Sequence, residues 1–212
     1  MVPRILYPLL RYRGAVEQLG PPFLIICAIG IPFWVVYRRH RIRASGRPRS
    51  RGREILLLIA LVYFIGLATV TLVPTHASNA RRAELRSEPT AGIEFHPNMA
   101  ALTCSANRAT VSRNRGFCMD NAAGNVVLFI PLGVLLPLVF TRLRIWQGML
   151  IALVLSCSIE LTQYFTRAWG SNRSADVNDV ILNTVGACVG LALMALWRLR
   201  PGSGPLRGAR LT

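Results

Sequence analysis

The sequence predicts an all-α, polytopic membrane protein built as a transmembrane helix bundle of about five spans. Of its 212 residues, 52% are hydrophobic and only 16% are charged, which is ordinary for a small membrane protein and unusual for a soluble domain. The apolar residues form five runs, each close to the roughly 20 residues that cross a bilayer as a helix. The arginines flank these runs, as the positive-inside rule describes.

Basic residues outnumber acidic residues by 25 to 9, and every one of them is arginine. Because they lie beside apolar runs, membrane topology and anionic lipid headgroups account for them, and we expect no nucleic-acid partner. The absence of lysine excludes Schiff-base and P-loop lysine chemistry.

The first 54 residues are predicted to hold one span and a cytoplasmic loop. Residues 1–19 read as an interfacial helix or a signal-like segment, and the apolar run 21–37 reads as a retained span, although its prolines argue against an unbroken helix. Residues 38–54 contain eight arginines, and short arginine-rich loops stay on the cytoplasmic side. This places the N-terminus outside.

A membrane domain is predicted over residues 55–197. Its first span, 55–73, leads into a long polar loop, 75–121, that alternation places outside the membrane. Cys104 and Cys118 share this loop, and an extracytoplasmic location would allow a disulfide between them. The other three cysteines lie in apolar runs and are expected to behave as small hydrophobic residues.

Three further spans complete the domain, over residues 122–140, 145–165 and 180–197. A short arginine-containing turn joins the first two on the cytoplasmic side, and an outer loop joins the last two. Pro131 is expected to kink its helix. Residues 198–212 form a basic cytoplasmic tail.

This topology brings eight polar residues to one depth, at the outer ends of the last three spans. Ionisable groups in a span are costly and indicate function, whereas amides could equally be hydrogen-bonding glue between helices, and Asp179 could simply complement a helix dipole. Gly186 and Gly190 follow on the face of Asp179 and Asn183, and such a small-residue stripe lets a neighbouring helix approach closely. The eight residues are Asn121, Asn125, Glu160, Gln163, Asp176, Asn178, Asp179 and Asn183.

The residue types suggest a headgroup site. Glu160, Asp179 and Asp176 are the candidate catalytic groups, since carboxylates act as general acids or bases; they could also hold a divalent cation that bridges to phosphate. Arg173 can hold a phosphate bidentately. The amides that would position a substrate are Asn125, Gln163, Asn178 and Asn183.

Three motifs resemble the VanZ-like family of bacterial integral membrane proteins: NVVLFIPLGVLLP from Asn125, SIELTQ from Ser158, and a segment from Arg173 through Asp176, Asp179 and Asn183 to Gly186. The resemblance covers roughly residues 55–197. It implies a multi-pass protein of the bacterial cell membrane, in a family named for a determinant of teicoplanin (glycopeptide antibiotic) resistance and proposed to modify lipid headgroups.

Two functions therefore compete at this level. In the first, an outward-facing polar pocket binds or modifies the headgroup of a membrane lipid or a lipid-linked cell-wall precursor, and the modifying version would be a lipid-headgroup hydrolase or transferase. In the second, the chain is a non-catalytic scaffold or binder of envelope precursors or partners, and its polar cluster is helix-packing glue. The sequence leaves catalysis, metal dependence and oligomeric state open.

Overall fold

The structure, a computed structural model, describes residues 7–45, 50–73, 93–94, 96–97, 111–166 and 175–199. Five helices and two very short strands make up these residues. In chain order they are α1 (Tyr7–Ser45), α2 (Arg51–Leu72), β1 (Ile93–Glu94), α3 (Val111–Val139), α4 (Ile145–Thr166), β2 (Ala175–Asp176) and α5 (Val177–Leu199).

The predicted all-α fold is confirmed, because all five helices are long and apolar enough to cross a membrane. Their backbone N–H and C=O groups are paired within each segment, which is what the interior of a bilayer demands. The strand pairing seen in the described residues is only two residues long and parallel, joining Ile93 to Ala175 and Glu94 to Asp176. It connects the long loop to the chain just before α5.

Helix α1 differs most from its prediction. It is one helix from Tyr7 to Ser45 that runs through Pro21, Pro22 and Pro32, so the expectation that these prolines interrupt the helix is wrong. Much of the predicted arginine-rich loop is also helical. A proline removes one backbone donor, but in lipid an unwound segment would expose many more unpaired groups. Continuing the helix is therefore the less costly alternative.

Two other helices begin earlier than hydropathy indicates. Helix α3 begins at Val111, inside the predicted loop 75–121, although its membrane-length stretch is Cys118–Val139. Helix α5 begins at Val177, three residues before the predicted span. Polar residues can extend a helix beyond the hydrocarbon core, so the apolar run marks the span and not the helix end.

The chain divides into two compact units, residues 1–89 with 165–173, and residues 90–164 with 174–212. In the first unit, α1 packs against α2. Arg38 holds the buried Glu54 with two hydrogen bonds, from Nε to Oε2 at 3.2 Å and from Nη2 to Oε1 at 2.5 Å. The predicted domain boundaries after residues 54 and 197 stay predictions, as does the outside location of the N-terminus.

The second unit is organised around the contact between α3 and α5, where backbones touch. A Cβ atom on Gly186 would lie 2.2 Å from the carbonyl oxygen of Val126, and one on Gly190 would lie 2.2 Å from that of Ile130. On the facing helix, a Cβ on Gly133 would lie 2.1 Å from the carbonyl oxygen of Ala187. The predicted role of the small-residue stripe is confirmed.

Apolar side chains fill the rest of this unit. Phe129 and Leu132 of α3 are fully buried, as are Ala152 of α4 and Ala187 of α5. At the opposite end from the polar residues, the Arg198 guanidinium donates to the carbonyl oxygen of Pro137 at 2.7 Å. That bond satisfies one of the carbonyls left without a partner at the end of α3.

Candidate functional site

The first contact of the site joins α3 to α5. Asn125 Nδ2 donates to Asp179 Oδ1 at 2.6 Å, and Asn121 Nδ2 lies 3.5 Å from the same oxygen at a more exposed position. Asn121 and Asn125 are one helical turn apart, so both face α5. A carboxylate that accepts from two amides is held in a fixed orientation, and Asp179 remains half-buried rather than sealed.

The second contact joins α4 to the beginning of α5. The carboxylate of Glu160 is 8% exposed, and its Oε2 accepts a hydrogen bond from the backbone N–H of Asp176 at 3.0 Å. Glu160 therefore fixes the position at which the chain enters α5.

Asp176 itself caps that helix. Its Oδ1 accepts from the backbone N–H of Asn178 at 2.8 Å, and the helix begins at Val177. This is the geometry of an N-cap residue, whose side chain satisfies one of the four free N–H groups of the first turn. The backbone of Asp176 also pairs with Glu94 of β1, so one residue joins the long loop, α4 and α5.

The third contact lies deeper, between α4 and α5. Asn183 Nδ2 donates to Ser156 Oγ at 2.9 Å, and the two side chains are 3% and 0% exposed. Within the described part of the chain, Asn183 Oδ1 is a buried oxygen with no hydrogen-bond donor. The predicted site residues do not include Ser156, although its position four residues before Glu160, on the same helix face, was the available signal.

The remaining predicted residues are placed as follows. Gln163 and Asn178 are both buried. Cys118 is disulfide-bonded, whereas Cys104 and Arg173 lie outside the described residues. The predicted pairing of Cys104 with Cys118 and the phosphate-binding role of Arg173 therefore stay predictions.

Together these contacts form one group at a common end of three helices, all within the second compact unit. We refer to it as the polar cluster. Its oxygens can accept hydrogen bonds or a proton, and its amides can donate. In the parts of the chain with described side chains, no three His, Cys, Asp or Glu residues are grouped so that they could hold a metal ion. The polar cluster consists of Asn125, Ser156, Glu160, Asp176, Asp179 and Asn183.

Comparison with known proteins finds a family whose profile matches the part of the chain that holds the polar cluster. A profile of the VanZ/LLP1 family matches residues 55–198, a range that includes every residue of the polar cluster. Protein VanZ of Enterococcus faecium is 42% identical over 72 residues, which is 34% of this chain and 42% of that relative. The match thus spans less than half of the relative, and no solved structure matches the chain.

The family range runs from Ile55 in α2 to Arg198 in α5, and the residues of the polar cluster come from α3, α4, α5 and the capping residue Asp176 before α5. This chain, a membrane protein with five helices capable of spanning a bilayer, belongs to the VanZ/LLP1 family.

Proposed function

We propose that this protein is a multi-pass protein of the bacterial cell membrane whose polar cluster faces outward and binds the headgroup of a membrane lipid or of a lipid-linked cell-wall precursor. The observation that carries the proposal is the hydrogen bond from Asn125 to Asp179 together with that from Asp176 to Glu160. These bonds gather carboxylates from two helices at one end of the unit. Helix packing alone needs only amides, which are far less costly in a membrane.

The depth of the cluster supports a headgroup over a soluble solute. Asp179 is two residues inside α5, about 3 Å at 1.5 Å per residue, and Glu160 is six residues inside α4, about 9 Å. The polar layer on each side of a bilayer is about 5–8 Å thick outside a hydrocarbon core of about 30 Å. With the ends of α4 and α5 at the outer membrane surface, the cluster would lie across the boundary at which headgroups meet hydrocarbon.

The contacts also indicate different roles for the three carboxylates. Asp176 caps a helix and Glu160 holds its backbone, so both have positioning roles in addition to any chemical role. Asp179 is half-buried and held by amides, which suits a general acid or base that reaches a bound headgroup. If the protein also modifies the headgroup as an enzyme, Glu160 is the alternative base and Arg173 would neutralise a phosphate. The headgroup would be positioned by Gln163, Asn178 and Asn183.

A second candidate function, that of a non-catalytic scaffold, is favoured by a different observation. The pairing of β1 with β2 joins the extracytoplasmic loop to Asp176, as a scaffold that binds envelope partners through this loop would require. Deleting the loop around β1 discriminates between the two functions. Selective lipid retention that survives the deletion supports the headgroup site, whereas loss of precursor capture in a protein whose lipid retention is unselective supports the scaffold.

The test of the proposed function is native mass spectrometry of protein purified in mild detergent with a mixture of phosphatidylglycerol, phosphatidylethanolamine and a polyprenyl phosphate. Asp179→Asn is compared with wild type, and Ser158→Ala is the matched control because Ser158 is exposed and, among the residues that the structure describes, its hydroxyl bonds within its own helix. We expect one lipid class to be retained by wild type and the control and lost from Asp179→Asn. Equal, unselective retention by all three would refute the headgroup site.

The family association with glycopeptide resistance adds a cellular expectation. Expression of wild type in a teicoplanin-sensitive host should raise the teicoplanin concentration that stops growth, and Asp179→Asn should not. Unchanged sensitivity at equal membrane levels of both proteins would separate this chain from the resistance role.

A further inference from the structure

A second group of charged residues, in the first compact unit, lies where α1 ends and α2 begins. Residues 38–54, which we call the arginine junction, contain eight arginines and a single acidic residue, Glu54. Most of the junction is helical, because α1 ends only at Ser45 and α2 begins at Arg51. Both helices are long and apolar enough to cross a membrane, so the junction lies at a membrane surface.

One ion pair fixes the geometry of the arginine junction. Glu54 is buried, and Arg38 bonds to both of its carboxylate oxygens, through Nε and through Nη2. A bidentate pair of this kind fixes the orientation of the two side chains as well as their distance, and α1 packs against α2. The end of α1 and the start of α2 are therefore held together, and the one acidic charge of the junction is already neutralised by Arg38.

The arginines around this ion pair are exposed, and they come from both helices. Arg39 and Arg43 are one helical turn apart, so they share a face of α1. Arg51 is one turn before Glu54, so it lies beside the ion pair on α2. The junction contains no further carboxylate to neutralise these guanidinium groups. The exposed arginines with described side chains are Arg39, Arg41, Arg43, Arg51 and Arg53.

Phosphate is the anion that suits such a group best. A guanidinium offers two parallel N–H donors that match two phosphate oxygens, and a phosphate diester has only two oxygens free for such a pair. One diester therefore cannot engage arginines of both helices in this way, whereas a ligand with two phosphates can. Basic groups between membrane helices, at the level of the headgroups, are known to bind lipids of that type.

We propose that the arginine junction binds a membrane lipid that carries two phosphate diesters. Arg39 and Arg43 of α1 hold one phosphate, Arg51 of α2 holds the other, and the pair of Arg38 with Glu54 keeps the two sets of arginines at a fixed separation. Membrane topology needs only the positive charge of the junction, whereas this site also needs the ion pair. The site is separate from the polar cluster and does not depend on the proposed function.

The test separates the geometry of the junction from its charge. Arg38→Met combined with Glu54→Met removes the ion pair at unchanged net charge, and apolar residues of similar volume in place of a buried ion pair usually preserve folding. Arg39→Gln combined with Arg43→Gln removes two proposed phosphate ligands. The matched control is Arg142→Gln combined with Arg144→Gln, at two exposed arginines of the second unit. Native mass spectrometry in mild detergent would measure the affinity of each protein for tetraoleoyl cardiolipin and for dioleoyl phosphatidylglycerol, which carries one phosphate.

We expect wild type to bind cardiolipin at least tenfold more tightly than phosphatidylglycerol. Loss of the ion pair and loss of the two arginines of α1 should each weaken cardiolipin binding at least tenfold, while the control should bind as wild type does. Equal affinity of wild type for the two lipids, or an equal loss in the control, overturns the proposal, because general charge attraction would then explain the binding. Cardiolipin affinity that survives the loss of the ion pair overturns it as well.

A competition measurement on wild type does not depend on the folding of any variant, and it identifies the source of the phosphates. Inorganic pyrophosphate carries two phosphate groups without acyl chains. At the same concentration as cardiolipin it should leave the bound lipid in place, because the junction adjoins two membrane helices and the acyl chains add to the binding. Displacement of cardiolipin at equal concentration would assign the arginines to a soluble phosphate ligand and overturn the proposal of a lipid site.

Discussion

The backbone contact between α3 and α5 predicts the effect of a single added methyl group. In Gly186→Ala the new Cβ would lie 2.2 Å from the carbonyl oxygen of Val126, whereas close helix packing keeps such atoms roughly 3.3 Å or more apart. Helices α3 and α5 must therefore separate locally by about 1 Å. Overpacking of this kind costs about 1–3 kcal/mol.

The separation also reaches the polar cluster, because Val126 adjoins Asn125. Adding about 1 Å to the 2.6 Å between Asn125 and Asp179 brings that hydrogen bond beyond the range in which it forms. In wild type, a double-mutant cycle on these two residues should give a coupling of about 0.6–1.7 kcal/mol, as measured for other hydrogen bonds between membrane helices. In the Gly186→Ala background, the coupling should fall to near zero.

The assay is reversible unfolding in mild detergent, followed by thermal midpoint and by steric trapping. Gly124→Ala is the matched control, because Gly124 is a glycine of α3 in the same unit and a Cβ there meets nothing within 4 Å. The control should be neutral or more stable by up to about 1 kcal/mol, since alanine favours the helix. Equal stability of the two variants, or a coupling that survives Gly186→Ala, would refute the packing argument.

Three further predictions use the same unfolding assay. Ser156→Ala leaves a buried amide without its acceptor and should lower the free energy of unfolding by about 1–3 kcal/mol. Ser158→Ala, on the exposed face, should leave it nearly unchanged, and an equal loss in both variants would contradict the buried hydrogen bond. Asp176→Ala should lower the free energy of unfolding by about 1 kcal/mol because it removes a helix cap. Asp176→Asn can still cap the helix and should keep most of this stability. A loss in Asp176→Asn as large as that in Asp176→Ala would mean that the charge matters more than the cap. Arg38→Ala should lower the free energy of unfolding by about 1.5–3 kcal/mol because it removes the bidentate partner of the buried Glu54 carboxylate. A similar loss in Arg39→Ala, at an exposed arginine, would mean that the loss of any positive charge there has this effect.

The spans were predictable because lipid imposes one simple rule. Every backbone group must be paired inside the segment, so apolar runs of sufficient length become helices, and α2 and α4 match their predicted ranges closely. The close contact of α3 with α5 was predictable from Gly186 and Gly190, since small residues four positions apart permit it.

The helix ends were not predictable from hydropathy. Helix α5 begins where Asp176 caps it, and an aspartate before an apolar run is a capping signal that hydropathy ignores. Helix α1 continues through three prolines because the alternative is worse in lipid, a comparison that proline propensity alone does not make. Both errors come from reading local signals without the surroundings.

The candidate site was predictable at the level of depth but not of pairing. The topology put Glu160 and Asp179 at one end of the unit, and the structure adds which partners they have. Ser156 was missed because a serine in an apolar run gives no sign of whether it bonds to its own helix, as Ser158 does, or to a neighbour, as Ser156 does. Only the packing of α4 against α5 decides this.

Crosslinking can show whether a lipid headgroup occupies the polar cluster. The lipid retained in native mass spectrometry would be prepared with a photoreactive diazirine on its headgroup, crosslinked to wild type in vesicles, and mapped by peptide sequencing. We predict adducts on α3 and α5 near Asn125 and Asp179, reduced at least tenfold in Asp179→Asn and unchanged in Ser158→Ala. Adducts confined to the arginine-rich ends of α1 and α2, or unaffected by Asp179→Asn, would contradict the account.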